Sequence, residues 1–288
     1  MSQPIKPRPF SRQLSEFDPV VPLRPGNCSK TILVCIPGAG ASVTSFIHLL
    51  DELSAEYTVY GLQPRGLYPE QTPDTSVETA AQFNIHALTT VAKDRRIHLI
   101  GHSFGGVIAF EMARQCLGGK LDIASLTVVD SSAPVATQVT PPDITDAQAR
   151  SAFIAALEEN LEVRLNVHLK HVEHDTPSAF VHALHTAMIK AGQMPAQSHP
   201  DALSGSFKTF AAAIRADYVV SSRYAGKIYL ITAEASSERS VAHKECVTGW
   251  QRVVEEVDAW QGSGNHFSIL RQPHVHTLAQ HWTSCIKE

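Results

Sequence analysis

The stretch that decides the fold is IHLIGHSFGGVIAFEMARQ, residues 97–115. An apolar run, Ile97–Ile100, leads into the motif G-x-S-x-G at residues 101–105, and a helical run, Val107–Gln115, leads out of it. A serine at such a strand-to-helix turn is held so that its hydroxyl projects, and flanking glycines leave room for the tight approach. A serine in an ordinary glycine-rich turn is the alternative, but the strand before and the helix after favour Ser103 as a nucleophile.

Five further short runs have the apolar, β-rich character of buried strands. With the first, they form the series Thr31–Ile36, Tyr57–Leu62, Ile97–Ile100, Leu126–Val129, Lys227–Thr232 and Val253–Val257. Helical patterns lie between them, as at residues 77–88, and most of the runs are apolar on both faces. This alternation predicts an α/β fold with a mostly parallel sheet flanked by helices.

One interval breaks the alternation. Between Val129 and Lys227 the apolar residues recur only at helical spacing, in three successive stripes. A helical insertion after a strand end, where active-site loops emerge, predicts a lid, and we assign it residues 134–224. Residues 31–288 then form one domain that contains it.

The first thirty residues carry six prolines, at positions 4, 7, 9, 19, 22 and 25. Proline favours extended backbone over helix, so residues 1–30 are predicted to be an arm or linker.

Composition excludes several classes of protein. The 288 residues are 43% hydrophobic and 18% charged, with a formal net charge of -4, and no basic stripe suggests nucleic acid as a partner. No apolar run is long enough for a membrane span or a signal core. Five scattered cysteines without C-x-x-C pairing predict a reduced, cytoplasmic protein.

A serine nucleophile needs a neighbouring imidazole to take its proton. Residues 264–267, Gly-Asn-His-Phe, follow the last predicted strand, and His266 is therefore the predicted base. The rival histidines fit less well. His274 and His276 fall at the start of a terminal helix, His243 falls in a polar loop one strand too early, and His102 adjoins the serine in the turn.

The acid that orients the imidazole has two possible origins. Asp130 closes the strand Leu126–Val129, at the edge of the sheet where open α/β folds place their chemistry. The next strand offers Glu234 or Glu238 instead. A turn or helix cap is the structural alternative for Asp130, which we favour as the acid.

Backbone N–H groups that stabilise an oxyanion are expected from two places. Phe104 follows the serine, and Ala39 lies in the small-residue loop 37–41, Pro-Gly-Ala-Gly-Ala, directly after the first predicted strand. This loop lacks the Gly-Lys-Ser/Thr of a phosphate-binding loop and the third glycine of a dinucleotide fingerprint.

Five motifs together resemble the type I thioesterase domains of nonribosomal peptide synthetases and polyketide synthases, members of the α/β-hydrolase superfamily. They are IPGAGASVTSF (36–46), YTVYGLQPRGL (57–67), GHSFGGVIAFEMARQ (101–115), LTVVDSSAP (126–134) and GNHFSIL (264–270). The resemblance runs from about Val20 to the C-terminus and is weak in the insertion. In that family the acid stands at the position of Asp130. Stand-alone editing thioesterases usually carry a methionine after the serine and a later acid, so Phe104 and Asp130 favour the type I resemblance.

The resemblance implies an acyl or peptidyl thioester on the phosphopantetheine of a carrier protein as substrate. Ser103 would form an acyl-enzyme, which water or an internal nucleophile would release. No cofactor of the chain's own is implied, and we expect a monomer that is either an excised domain or a free-standing protein. Arg65, Lys190 and Arg215 are candidates for docking an acidic carrier. An editing thioesterase or a small-molecule esterase is the alternative, and a catalytically dead binding module is disfavoured because every triad position is filled.

The predicted lid also holds a group of histidines at positions 168, 171, 174, 182 and 185. Their spacing could suggest zinc, but no cysteine pattern or H-E-x-x-H motif accompanies them. A solvated helix face is the prediction, and no metal site is assigned.

Overall fold

The computed structural model describes residues 17–27, 30–134, 143–167, 176–234 and 239–286. In these ranges no helix is both long and apolar enough to cross a membrane.

A single seven-stranded sheet organises the chain. Its strands are β1 (Val20–Arg24), β2 (Thr31–Ile36), β3 (Thr58–Leu62), β4 (Arg96–His102), β5 (Asp122–Val129), β6 (Tyr224–Ala233) and β7 (Val254–Gly262). They lie in the order β1-β3-β2-β4-β5-β6-β7, and all neighbours are parallel except the edge pair β1 and β3. The predicted mostly parallel sheet is therefore confirmed.

The edge strand β1 lies inside the segment predicted to be an arm. Its residue Pro22 pairs with Tyr60 of β3, and the register shifts between Pro22 and Arg24. An edge strand tolerates proline because one side of it needs no ladder hydrogen bond, so the prolines did not exclude a strand here. Arg24 also donates to the backbone carbonyls of Leu50 and Leu53, at 2.6 and 3.1 Å, which fastens this edge to the body.

Eight helices accompany the sheet in the described ranges. They are α1 (Ile47–Glu52), α2 (Val77–Val91), α3 (Phe104–Gln115), α4 (Asp146–Leu161), α5 (Pro177–Lys190), α6 (Ser204–Arg215), α7 (Arg239–Val253) and α8 (His274–Cys285). One apolar core joins the sheet to α2, α3 and α7, and includes the fully buried Trp250. The other face packs on α1 and α8, around the fully buried Trp282. Helices thus cover both faces of the sheet.

The predicted helical insertion lies between β5 and β6 and contains α4, α5 and α6. These helices have an apolar core of their own, in which the rings of Phe180 and Phe207 are 4.7 Å apart and those of Phe153 and Phe207 are 5.5 Å apart. Gly205 of α6 touches the body: a Cβ there would lie 1.8 Å from the carbonyl oxygen of Leu67. Residues 135–142 and 168–175 of the insertion lie outside the described ranges.

His98 makes the stability of this fold depend on pH. It lies buried in β4, its Nδ1 is 2.7 Å from Ser125 Oγ, and its ring faces those of Tyr57 and Trp282. Burial, with a smaller contribution from the Arg96 guanidinium, lowers the pKa of His98 to about 4. Between pH 6.5 and 4 the unfolded chain therefore binds a proton that the folded chain does not, and stability must fall as the pH falls.

We predict that His98→Gln flattens this dependence. Urea unfolding at pH 7.5 and pH 5 should show a smaller acid-induced loss in the variant, by about 1 kcal/mol after allowance for solvent screening. His48→Gln, at an exposed histidine of α1, is the control and should keep the wild-type loss. Equal losses in wild type and His98→Gln would contradict the prediction.

Candidate active site

Ser103 occupies a strained turn between β4 and α3. Its φ is 55° and its ψ is -128°, a region that side-chain-bearing residues rarely adopt. The two glycines of the motif permit the turn: a Cβ on Gly101 would lie 2.3 Å from the Gly105 carbonyl oxygen, and one on Gly105 would lie 2.2 Å from that of Ile36. The Ser103 N–H donates to the carbonyl of Val129 at 2.9 Å, so the turn is tied to β5.

Three predicted side chains form one hydrogen-bonded line. Ser103 Oγ lies 3.0 Å from His266 Nε2, and His266 Nδ1 lies 2.7 Å from Asp130 Oδ2. The residues come from the ends of three different segments, after β4, β5 and β7. A hydroxyl, an imidazole and a carboxylate in this order can generate a serine nucleophile.

Hydrogen bonds to β6 hold both the backbone and the side chain of Asp130. Its N–H donates to the Ile231 carbonyl at 2.6 Å, and its Oδ1 accepts from the Ala233 N–H at 2.8 Å. Burial raises the pKa of Asp130, but the hydrogen bonds from His266 and Ala233 outweigh it, so the pKa lies below its usual value. The group is therefore a carboxylate at neutral pH.

The alternative acids do not occupy this position. Glu234 follows β6 and is exposed, and among the described residues its side chain forms no hydrogen bond or ion pair with His266, whose carboxylate partner is Asp130. Glu238 lies outside the described residues. Asp130 is thus the carboxylate that the fold brings to the imidazole.

His266 is held by the loop that carries it. Asn265 Oδ1 accepts from the N–H groups of Phe267 and Ser268, at 3.0 and 2.8 Å. Behind the loop, His102 Nε2 lies 2.8 Å from the His266 carbonyl oxygen. Burial, then the nearby His266, lowers the pKa of His102 to about 4, so it is neutral and can donate this bond. Sequence reasoning excluded His102 as the base but missed this supporting position.

The other rejected histidines lie elsewhere. His274 and His276 lie in α8, as predicted, next to Ser263 and Glu52. His243 is not in a loop: it belongs to α7, where its Nδ1 is 2.5 Å from Thr232 Oγ1. Most residues of α7 are polar, so the sequence shows no apolar helical periodicity there.

The loop after β2 approaches the serine closely. A Cβ on Gly38 would lie 3.1 Å from Ser103 Cβ, and Gly40 has a φ of 71°. Ala39 and Phe104, the predicted donors, both line the cavity at Ser103. Within the part of the chain that the structure describes, neither of their N–H groups donates to a protein acceptor. Both are available to a substrate oxygen.

Two cavities, each of about 550 Å³, meet at Ser103. Both are lined by Ala39, Ser103, Phe210 and His266. We call cavity A the one that extends to Glu159 and His243, and cavity B the one that extends to His48 and Arg271. A substrate bound at Ser103 therefore has room on both sides.

The three predicted docking cations line neither cavity. Arg65 is ion-paired with Asp74, Arg215 donates to Asp146 at 2.6 Å, and Lys190 is exposed at the end of α5. Their part in binding a carrier stays a prediction.

The insertion histidines only partly fit a solvated face. His185 is buried, with its Nε2 2.9 Å from Ser198 Oγ, whereas His182 is exposed. His168, His171 and His174 lie outside the described residues. Among the residues described, no three His, Cys, Asp or Glu side chains are grouped to hold a metal ion.

Curated relatives are large synthetases. The chain is 34% identical over 116 residues to a probable non-canonical nonribosomal peptide synthetase, CymA, of Salinispora arenicola, which is 40% of this chain and 2% of that protein. It is 31% identical over 118 residues to a dimodular nonribosomal peptide synthase of Bacillus subtilis, covering 41% of the chain and 5% of the relative. The chain therefore matches only a small part of each relative.

Solved structures share the fold. A four-domain nonribosomal peptide synthetase superposes with a TM-score of 0.80 at 22% identity, over 93% of this chain and 20% of that one. The Vlm2 thioesterase domain with a bound dodecadepsipeptide gives 0.63 at 22% identity, over 92% and 97%. The type II thioesterase BorB gives 0.64 at 18% identity, over 93% and 97%.

A match over most of the chain identifies the family. The model of the thioesterase domain family matches residues 31–284, which is nearly the whole chain. This match, with the seven-stranded sheet and the serine turn, shows that the chain belongs to the thioesterase domain family, a family of serine hydrolases with the α/β-hydrolase fold.

Proposed function

We propose that this chain releases an acyl or peptidyl group from the phosphopantetheine of a carrier protein, through an acyl-enzyme on Ser103. The observation that carries the proposal is the line Ser103–His266–Asp130, which lies where the two cavities meet. The synthetase relatives support a carrier-bound substrate in nonribosomal peptide or polyketide biosynthesis.

In the proposed reaction His266 Nε2 takes the proton of Ser103 as Oγ attacks the thioester carbonyl. The N–H groups of Ala39 and Phe104 donate to the resulting oxyanion. His266 then returns the proton to the departing sulfur, and the Asp130 carboxylate stabilises the imidazolium between these steps. Water or a nucleophile of the acyl or peptidyl group itself then attacks the acyl-enzyme through the same proton transfers, which gives an acid or a cyclic product.

A stand-alone editing thioesterase is the second candidate, because BorB superposes as well as Vlm2 does. Two residues favour the first candidate. Asp130 supplies the carboxylate directly after β5, and Phe104 rather than methionine follows the serine. Both features match the type I pattern.

The insertion would act as the lid of this site. Phe210 of α6 lines both cavities, and α4 contributes neighbouring residues to each. A cover of this kind excludes water and shapes the space for the acyl chain. It would therefore influence whether hydrolysis or cyclisation releases the product.

The first test replaces the nucleophile. Ser103→Ala should abolish acyl-enzyme formation, while the free energy of unfolding changes by less than about 0.5 kcal/mol because the hydroxyl is small and accessible. Intact mass spectrometry after incubation with a panel of acyl pantetheine thioesters measures the acyl adduct. Ser132→Ala, at an exposed serine of cavity A, is the matched control and should still acylate. An adduct on Ser103→Ala at the wild-type rate would disprove the proposal.

The second test concerns the acid. Asp130→Asn should lower kcat/KM by about 10²- to 10⁴-fold, because the imidazole loses its orienting partner and its counter-charge. Glu234→Gln should leave kcat/KM nearly unchanged. Hydrolysis of one acyl N-acetylcysteamine thioester by both variants measures the difference, and the opposite order of effects would refute the role of Asp130.

A further inference from the structure

The two cavities at Ser103 carry opposite charges. Among the side chains that the structure describes, cavity A is lined by two carboxylates, Asp130 and Glu159, and by no lysine or arginine. Cavity B is lined by Arg271 and, within the described ranges, by no aspartate or glutamate. Because Asp130 is bound to His266, Glu159 is the carboxylate of cavity A that is open to a ligand.

From this polarity we infer the direction in which a thioester lies across Ser103. The phosphopantetheine arm occupies cavity B, and the acyl or peptidyl chain occupies cavity A, where Glu159 favours chains that carry an ammonium group. The inference rests on the proposed function, since it assumes a carrier-bound thioester.

Arg271 is suited to an anionic arm. Its guanidinium donates to the carbonyl oxygen of Asn160 at 2.8 Å and to the side-chain oxygen of the same residue. Both acceptors are neutral, and no described carboxylate forms an ion pair with Arg271, so its positive charge is not compensated. The phosphate of phosphopantetheine is an anion that such a charge attracts.

The proton transfer from His266 to the leaving group independently places the arm in cavity B. The departing sulfur must lie beside His266, which donates its proton to it. The loop that carries His266 also lines cavity B with Phe267, Leu270 and Arg271, whereas cavity A meets this loop only at His266. A leaving group on the side of this loop therefore departs into cavity B.

The last turn of α4 borders both cavities. Its consecutive residues Glu159 and Asn160 line cavity A and cavity B, respectively. Glu159 has no ion pair or hydrogen bond within the described part of the chain. Its carboxylate is therefore available to a cationic group of the acyl chain.

The experiment uses four thioesters. An acyl chain with a terminal ammonium group and its neutral isostere are each joined to pantetheine and to pantetheine 4′-phosphate. The 288-residue chain and its variants are compared by kcat/KM at low ionic strength, where charge effects are least screened. Two ratios are measured: ammonium over neutral chain, and phosphorylated over unphosphorylated arm.

The inference predicts that each variant moves one ratio. Glu159→Gln should lower the ammonium ratio by about three- to tenfold and leave the phosphate ratio, whereas Arg271→Gln should do the reverse by a similar factor. Asn160→Ala removes the side-chain acceptor of Arg271 but keeps the backbone carbonyl acceptor and the arginine charge. It should therefore shift neither ratio, even if it slows all four substrates.

Several outcomes would overturn the inference. They are exchanged effects of Glu159→Gln and Arg271→Gln, unchanged ratios in both variants, and a loss of the phosphate ratio in Asn160→Ala as large as in Arg271→Gln. Failure of the wild type to form an acyl-enzyme with any of the four thioesters would instead refute the proposed function, so the two failures are distinguishable.

Discussion

The rest of the site depends on one backbone constraint, the positive φ of Ser103. A residue in this region costs on the order of 1–3 kcal/mol and persists only where its surroundings determine it. Here the bond from its N–H to Val129 and the close contacts of Gly101 and Gly105 hold the turn from three sides. The hydroxyl is thereby presented above the sheet, at the start of α3, instead of packing into it.

The sheet supplies the second part of this arrangement. Parallel strands end at one edge, so the segments after β4 and β5 emerge side by side, and Asp130 bonds to Ile231 and Ala233 of the next strand. The His266 loop reaches the same edge after β7 and is supported from below by His102. Hydrogen bonds to the backbone hold the segments that carry Ser103, Asp130 and His266, so their side chains lie within hydrogen-bond distance of one another.

Local sequence could predict most of this. Ser103 and Asp130 each follow a largely buried strand, His266 follows the last strand, and their motifs are short and continuous in the chain. What the sequence could not predict depends on contacts between distant segments. The pairing of β1 with β3 prevailed over the prolines. His185 is buried and its ring is hydrogen-bonded to Ser198, and α7 is too polar to reveal its helix by apolar periodicity. The supporting position of His102 likewise appears only when the loop 264–267 lies above it.

The charge difference between the cavities is the feature that the sequence predicts least, because residues that are adjacent in the chain line different cavities. A helix turns by 100° per residue, so Glu159 and Asn160 face different directions and line different cavities. Arg271 binds the carbonyl of Asn160 near the C-terminal end of α4, where a cation is favoured by the helix dipole. The same arginine therefore anchors the insertion to the loop of His266 and gives cavity B its charge. A movement of α4 would therefore change both the lining of the two cavities and the polarity of cavity B, which would link the position of the insertion to the charge preference proposed for the site.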